Sequence, residues 1–184
     1  APPRAMSVMD IAKPKDARVR IRGGSRLGDS VPRRFLTLFG GDEFDPGTSG
    51  RRELAEAITA AENPLFARVI ANRVWGWHFG TPLVATPSDL GHQCPPPVQL
   101  ALLDHLASYL QESGYSLAAL HRHILTSVAF RRSSDANPAA EATDPGNSYL
   151  WRFERRRMDF EGMRDAVLSR AGTLGLDDPD TVSY

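Results

Sequence analysis

Residues 63–80, NPLFARVIANRVWGWHFG, carry a start signal, an unbroken helical pattern and a stop signal within one stretch. Asn63 is a good N-cap, and Pro64 at the first helical position gives up no hydrogen bond that the helix needs. Gly80 suits the left-handed residue that closes a helix, and Pro82 blocks its continuation. Between these ends, Leu65, Phe66, Val69, Ile70, Val74 and Trp77 recur at spacings of three and four, the pattern of a packed face. Arg68, Asn72, Trp75 and Phe79 recur at four, three and four, and make a second stripe opposite part of the first. A long helix with polar groups set among aromatics is predicted to organise whatever surrounds it.

The rest of the chain fits around that element. Residues 1–48 are rich in Pro, Gly and Arg, and only Ala17-Arg18-Val19-Arg20-Ile21-Arg22 alternates like a half-exposed strand. Gly23-Gly24 ends this run, and residues 34–39 offer a second extended segment before Gly40-Gly41. Two short strands alone are marginal in water, so this arm is expected to pack on a helical body or another domain. Helical patterning starts at Thr48 or Ser49, with Leu54, Ala57, Ile58 and Ala61 as a stripe. Residues 81–97 read as a loop stiffened by Pro95-Pro96-Pro97. Residues 98–113 place Leu100, Leu103, Leu106, Ala107 and Leu110 on one face. After Gly114, Ser116 caps a helix over 117–130, with Leu120, Ile124, Leu125 and Val128 inward. Residues 133–145 read as an exposed loop, and a last helix over 158–171 turns Phe160, Met163, Val167 and Leu168 inward. The expected fold is mainly α: a bundle-like domain of four or five helices over 49–172, with an extended arm over 1–48. Residues 173–184 form a tail that reads as cut short. The chain begins at Ala1 rather than Met and shows no leader-like segment, so we expect a mature fragment or an excised domain.

Composition narrows the function classes. Lys+Arg and Asp+Glu both number 22, so the net charge is zero, which argues against a general affinity for nucleic acid or anionic membrane. No apolar run approaches the ~20 residues that span a bilayer. Cys94 is the single cysteine, so an intrachain disulfide is ruled out, and without a C-x-x-C-H the chain cannot itself attach a c-type haem.

Candidate chemistry is sparse. His121 and His123 are two apart on a predicted helix, so they point about 200° apart and cannot chelate one ion together. No His-x-x-x-His pair or Cys pair accompanies them, and we expect neither a metal nor a cofactor. Cys94 follows His92 and Gln93 in a loop, but sequence shows no positioned base, and a small buried side chain is the expected role. The run Trp151-Arg152-Phe153-Glu154-Arg155-Arg156-Arg157 mixes bases with aromatics, but Glu154, Asp159, Glu161 and Asp165 lie close enough to neutralise it. The stripe on the central helix has two readings. Arg68, Asn72 and Trp75 resemble a fork, an amide and a ring face that would take a sugar or an acidic peptide. Alternatively, Arg68 and Arg73 pair with Asp89 or Asp104 while Asn72 satisfies loop carbonyls. We prefer the second, with Arg68, Asn72 and Arg73 buried and pinning the loop at 86–89. No catalytic residues are assigned.

Together these motifs resemble a known family. Asn63 through Trp75, His78-Phe79-Gly80, Leu83-Val84-Ala85-Thr86-Pro87 and Leu102-Leu103-Asp104 are similar to the planctomycete PSD domain. Gly114-Tyr115-Ser116-Leu117, His121-Arg122, Asp144-Pro145, Leu150-Trp151-Arg152 and Arg164-Asp165-Ala166 extend the likeness. The resemblance implies a domain of unknown function within large exported bacterial proteins, in the periplasm or at the cell surface. Its neighbours there include another planctomycete domain, a cytochrome c-like module and carbohydrate-binding modules. Val98-Gln99-Leu100-Ala101 replaces the family's Ser/Thr-His-Pro-Glu segment, so any mechanism using that His or Glu is lost here. A non-catalytic interaction or structural module is the expectation. The alternatives are part of a polysaccharide-active enzyme sharing its site with neighbouring domains, or a glycan-binding module using Trp75 or Trp77.

Overall fold

A computed structural model describes residues 8–91 and 94–175. Among them the fold is mainly α, with one two-stranded sheet near the N-terminus. The arm forms an antiparallel hairpin, β1 (Ala17–Arg20) and β2 (Leu27–Val31), which pairs Ala17 with Val31 and Arg20 with Leu27. The second strand therefore lies earlier than expected. Arg22 and Gly23 both take positive φ and turn the chain back at once, while residues 37–39 form a 3-10 turn instead. Within the arm, Arg33 pairs with Asp16 at 2.8 Å and donates to the carbonyls of Thr48 and Pro46, at the entry to the helical body. Arg51 also meets Asp10.

Six helices follow among the described residues: α1 (Arg51–Thr59), α2 (Pro64–Phe79), α3 (Leu100–Glu112), α4 (Leu117–Leu125), α5 (Pro138–Thr143) and α6 (Phe160–Arg170). Helix-to-helix packing concentrates in α2, α3 and α4. Their shared core holds Val74, Trp75 and Phe79 from α2, Leu103, Leu106 and Leu110 from α3, and Leu120 and Ile124 from α4. Asn63 joins α1 to α2. Its side-chain oxygen accepts from Leu65 N at 3.0 Å, and its Nδ2 donates to the carbonyl of Ile58 at 3.0 Å. Gly80 closes α2 with φ 81°, and its N–H donates to Gly76 O at 2.8 Å. Arg156 adds a side-chain cap by donating to the carbonyls of Trp77 and His78.

Helix α2 buries a face rotated from the one its apolar stripe marks, keeping Val74 of that stripe inside. Asn72, Trp75 and Phe79 lie inward with Ala67, Ala71 and Val74, whereas Leu65 and Trp77 are exposed. The two alanines flatten the inner face and allow α3 and α4 to approach closely. Three further expectations are corrected. α1 buries no residue, although Ala57 and Ile58 are half-covered. α4 stops at Leu125, where the Thr126 hydroxyl donates to Arg122 O at 2.8 Å, so Val128 leaves the helix and is exposed. On α6, Phe160, Met163 and Val167 face solvent. α5 occupies part of the stretch read as a loop, and Asn137 caps it above Pro138. Most of the tail lies outside the described residues.

Candidate functional site

The polar stripe of α2 divides into separate roles. Asn72 is fully buried and grips one backbone unit from both sides: its Nδ2 donates to Val84 O at 3.1 Å, and Val84 N donates to its Oδ1 at 2.8 Å. The loop is thus pinned at Val84, just before residues 86–89. Arg68 pairs with Asp104 of α3 at 2.7 Å and is half-exposed. Asp89 accepts from Gly91 N within its own loop. Arg73 is exposed and makes no hydrogen bond or ion pair among the described residues, contrary to the expected burial. It follows Asn72 by about 100° of helical turn, which carries it to the outer side with Trp77. Arg73 and Asp89 share a shallow groove without meeting.

Trp75 and Phe79 stack with centroids 3.9 Å apart and 8° between their planes, and they floor a cleft of about 450 Å³. Its walls are Thr81–Leu83, Val98–Gln99 and the loop 145–154. This loop is held by its own hydrogen bonds. The Asp144 carboxylate accepts from Ser148 N and Tyr149 N, and its carbonyl accepts from the Trp151 indole. Asn147 and Arg152 are bonded in both directions, and Gln99 donates to Ser148 O. That network supports two non-glycine residues at positive φ, Asn147 at 53° and Leu150 at 55°. Such conformations cost about 1–3 kcal/mol each and persist where surrounding structure enforces them. Among the described residues, Glu154 is the one carboxylate lining the cleft; it stands 3.6 Å from Arg152 and accepts from Asn147.

Three of the four arginines of the basic run are engaged by contacts of this kind. Arg152 lies 4.7 Å above the Trp151 ring, Arg155 stands 3.9 Å from Asp135, and Arg156 caps α2. Asp159 caps α6 by accepting from Gly162 N. Cys94 is half-buried, and its sulfur accepts from the Thr86 hydroxyl. His92 and Gln93 lie outside the described residues.

Spacing along α4 gave no sign of a different feature. His121 Nδ1 lies 2.7 Å from His78 Nε2 on α2, and His123 Nε2 lies 3.0 Å from His105 Nε2 on α3. Burial holds His78 below the usual histidine range, with His121 and the Arg156 guanidinium acting in the same direction. No group of three His, Cys, Asp or Glu side chains converges among the described residues.

Residues 50–182 match the family model PSD1, described as a protein of unknown function (DUF1553). No curated protein and no solved structure matches the chain.

Proposed function

The chain belongs to the PSD1 family, proteins of unknown function (DUF1553), and we propose that it is a non-catalytic interaction module of a larger, exported multidomain protein. The observation that carries this is the outer face of α6, where Phe160, Met163 and Val167 are 70%, 54% and 62% exposed. Spacings of three and four put them on one side of the helix. An apolar helix face that its own domain leaves wet is the ordinary signature of a partner surface. The partner we favour is another domain of the same polypeptide, with a cytochrome c-like module among the candidates. The cleft supports a binding role over hydrolysis, because glycoside hydrolysis needs two carboxylates and Glu154 is already engaged. Replacing Met163 and Val167 together by Asp should weaken association of this domain with the separately expressed remainder of its polypeptide by tenfold or more, on the order of two apolar anchors lost. The absence of measurable association by the unaltered domain overturns the proposal.

A second reading is favoured by Trp77, whose indole is 63% exposed and lies nearly parallel to the His121 ring. Trp75 is buried, so a glycan would stack on Trp77. Quenching of indole fluorescence by soluble polysaccharide, lost in Trp77→Ala, would favour this reading over domain docking.

A further inference from the structure

The two histidine pairs at α4 sit in different settings. His78 and His121 are half-buried, with Trp77 against His121 and Phe130 against His78, and Arg156 donates to His78 O. A fixed guanidinium beside that pair opposes any added cation. In the other pair His105 is exposed and His123 half-buried, and the two join α3 to α4. Tyr109, one turn beyond His105, lies flat on His123 with centroids 4.2 Å apart and planes 18° apart, which fixes that ring's plane.

Two Nε2 atoms that face one another at 3.0 Å share one proton, with one ring donating and the other accepting. Moving the donor's proton to its own Nδ1 is a tautomer change that releases nothing and leaves two lone pairs side by side. Cis nitrogens on a tetragonal ion with bonds of about 2.1 Å stand about 3.0 Å apart, whereas tetrahedral zinc spreads them to about 3.4 Å. The observed separation, which is also that of an ordinary N–H···N hydrogen bond, matches the tetragonal case in distance. At 2.7 Å the His78 pair is tighter than either.

We propose that His105 and His123 form a surface site for a borderline divalent transition ion, Ni(II) or Cu(II). No third His, Cys, Asp or Glu joins them among the described residues, so water completes the coordination and the ion stays exchangeable. The bound ion links α3 to α4 and stabilises the folded state by mass action.

The test is calorimetric titration of the intact chain with Ni(II) in a non-chelating buffer slightly above neutral pH, paired with thermal melts. The expected result is one ion per chain and a melting midpoint that rises with Ni(II). His105→Gln changes an exposed residue and should keep the fold, which circular dichroism checks. It should weaken Ni(II) binding at least about tenfold, since even outer-shell losses cost 10–100-fold. His123→Gln should do the same, and His78→Gln should leave binding intact. No Ni(II) binding by the unaltered chain, undiminished binding by His105→Gln, or loss of binding in His78→Gln each overturns the proposal.

Discussion

Replacing Asn72 probes the contact on which the packing of the central helix depends. The residue is fully buried, and both of its amide groups serve the backbone of Val84, whose side chain is also buried. Asn72→Ala leaves the Val84 N–H and C=O without partners in a place water does not reach. Each orphaned group costs about 1–3 kcal/mol, and a modest cavity adds to that, so the expected loss is about 3–4 kcal/mol. Against a typical stability of about 5–15 kcal/mol, such a loss is large. Asn72→Asp discriminates further. It retains an acceptor for Val84 N–H, but sets an oxygen against Val84 O and buries a charge, so it should destabilise at least as much as Asn72→Ala. Urea unfolding followed by tryptophan fluorescence measures both, since Trp75 lies in the adjoining core. A loss below about 1 kcal/mol for Asn72→Ala would refute the account. So would Asn72→Asp proving more stable than Asn72→Ala, because the two-sided grip would then not be what holds the loop.

Two further outcomes follow from the C-terminal end of α2. Gly80 has φ 81°, and a Cβ there would fall 2.5 Å from Arg156 Cδ, so Gly80→Ala should cost about 1–2 kcal/mol; an unchanged thermal midpoint counts against it. His78 is held below the usual histidine pKa by burial, then by His121 and Arg156, so the unfolded chain takes up this proton before the folded one does. The stability due to neutral His78 is therefore present above the unfolded value of about 6.5 and lost as pH falls toward the lower folded value. His78→Gln should flatten that acid limb, and an unaltered slope in a pH series of urea melts would refute the assignment.

Much of the framework was legible because local signals and tertiary packing agree. Asn63-Pro64 and Gly80 mark the ends of α2, and the Gly114-Tyr115-Ser116 turn joins α3 to α4 with Gly114 and Tyr115 both at positive φ. The same Asn-Pro signal at Asn137-Pro138 starts α5, but six residues without an apolar stripe leave no periodicity to detect. Periodicity also says which residues share a face, not which face turns inward when both carry apolar groups. On α2 the core took the alanine side, leaving Trp77 and Arg73 outside. The stripe of candidate residues was legible as a set, and Arg68 does meet Asp104, but its division into a buried clamp and an exposed arginine required the helix's rotation. The histidine pairs were illegible for another reason. Spacing constrains partners within one helix, and both pairs form between helices.

Exposed apolar side chains are not spread evenly around the packed body of α2, α3 and α4. The hairpin leaves Val19, Leu27 and Val31 in water, and α6 does the same with Phe160, Met163 and Val167. A two-stranded hairpin gains little stability by itself, and each apolar side chain left wet forgoes about 1.5–3 kcal/mol of burial. The body does not need these residues, since its core closes around Leu103, Leu106, Leu110, Leu120 and Ile124 without them. Helix α6 is nonetheless well formed, with Asp159 as a side-chain cap at its start. A helix capped at its start, with apolar residues left uncovered on one side, is the feature on which the proposed docking role rests. That combination separates α6 from a merely frayed terminus, and it is what supports the proposal that its apolar face, more than the engaged polar cleft, is where a partner docks.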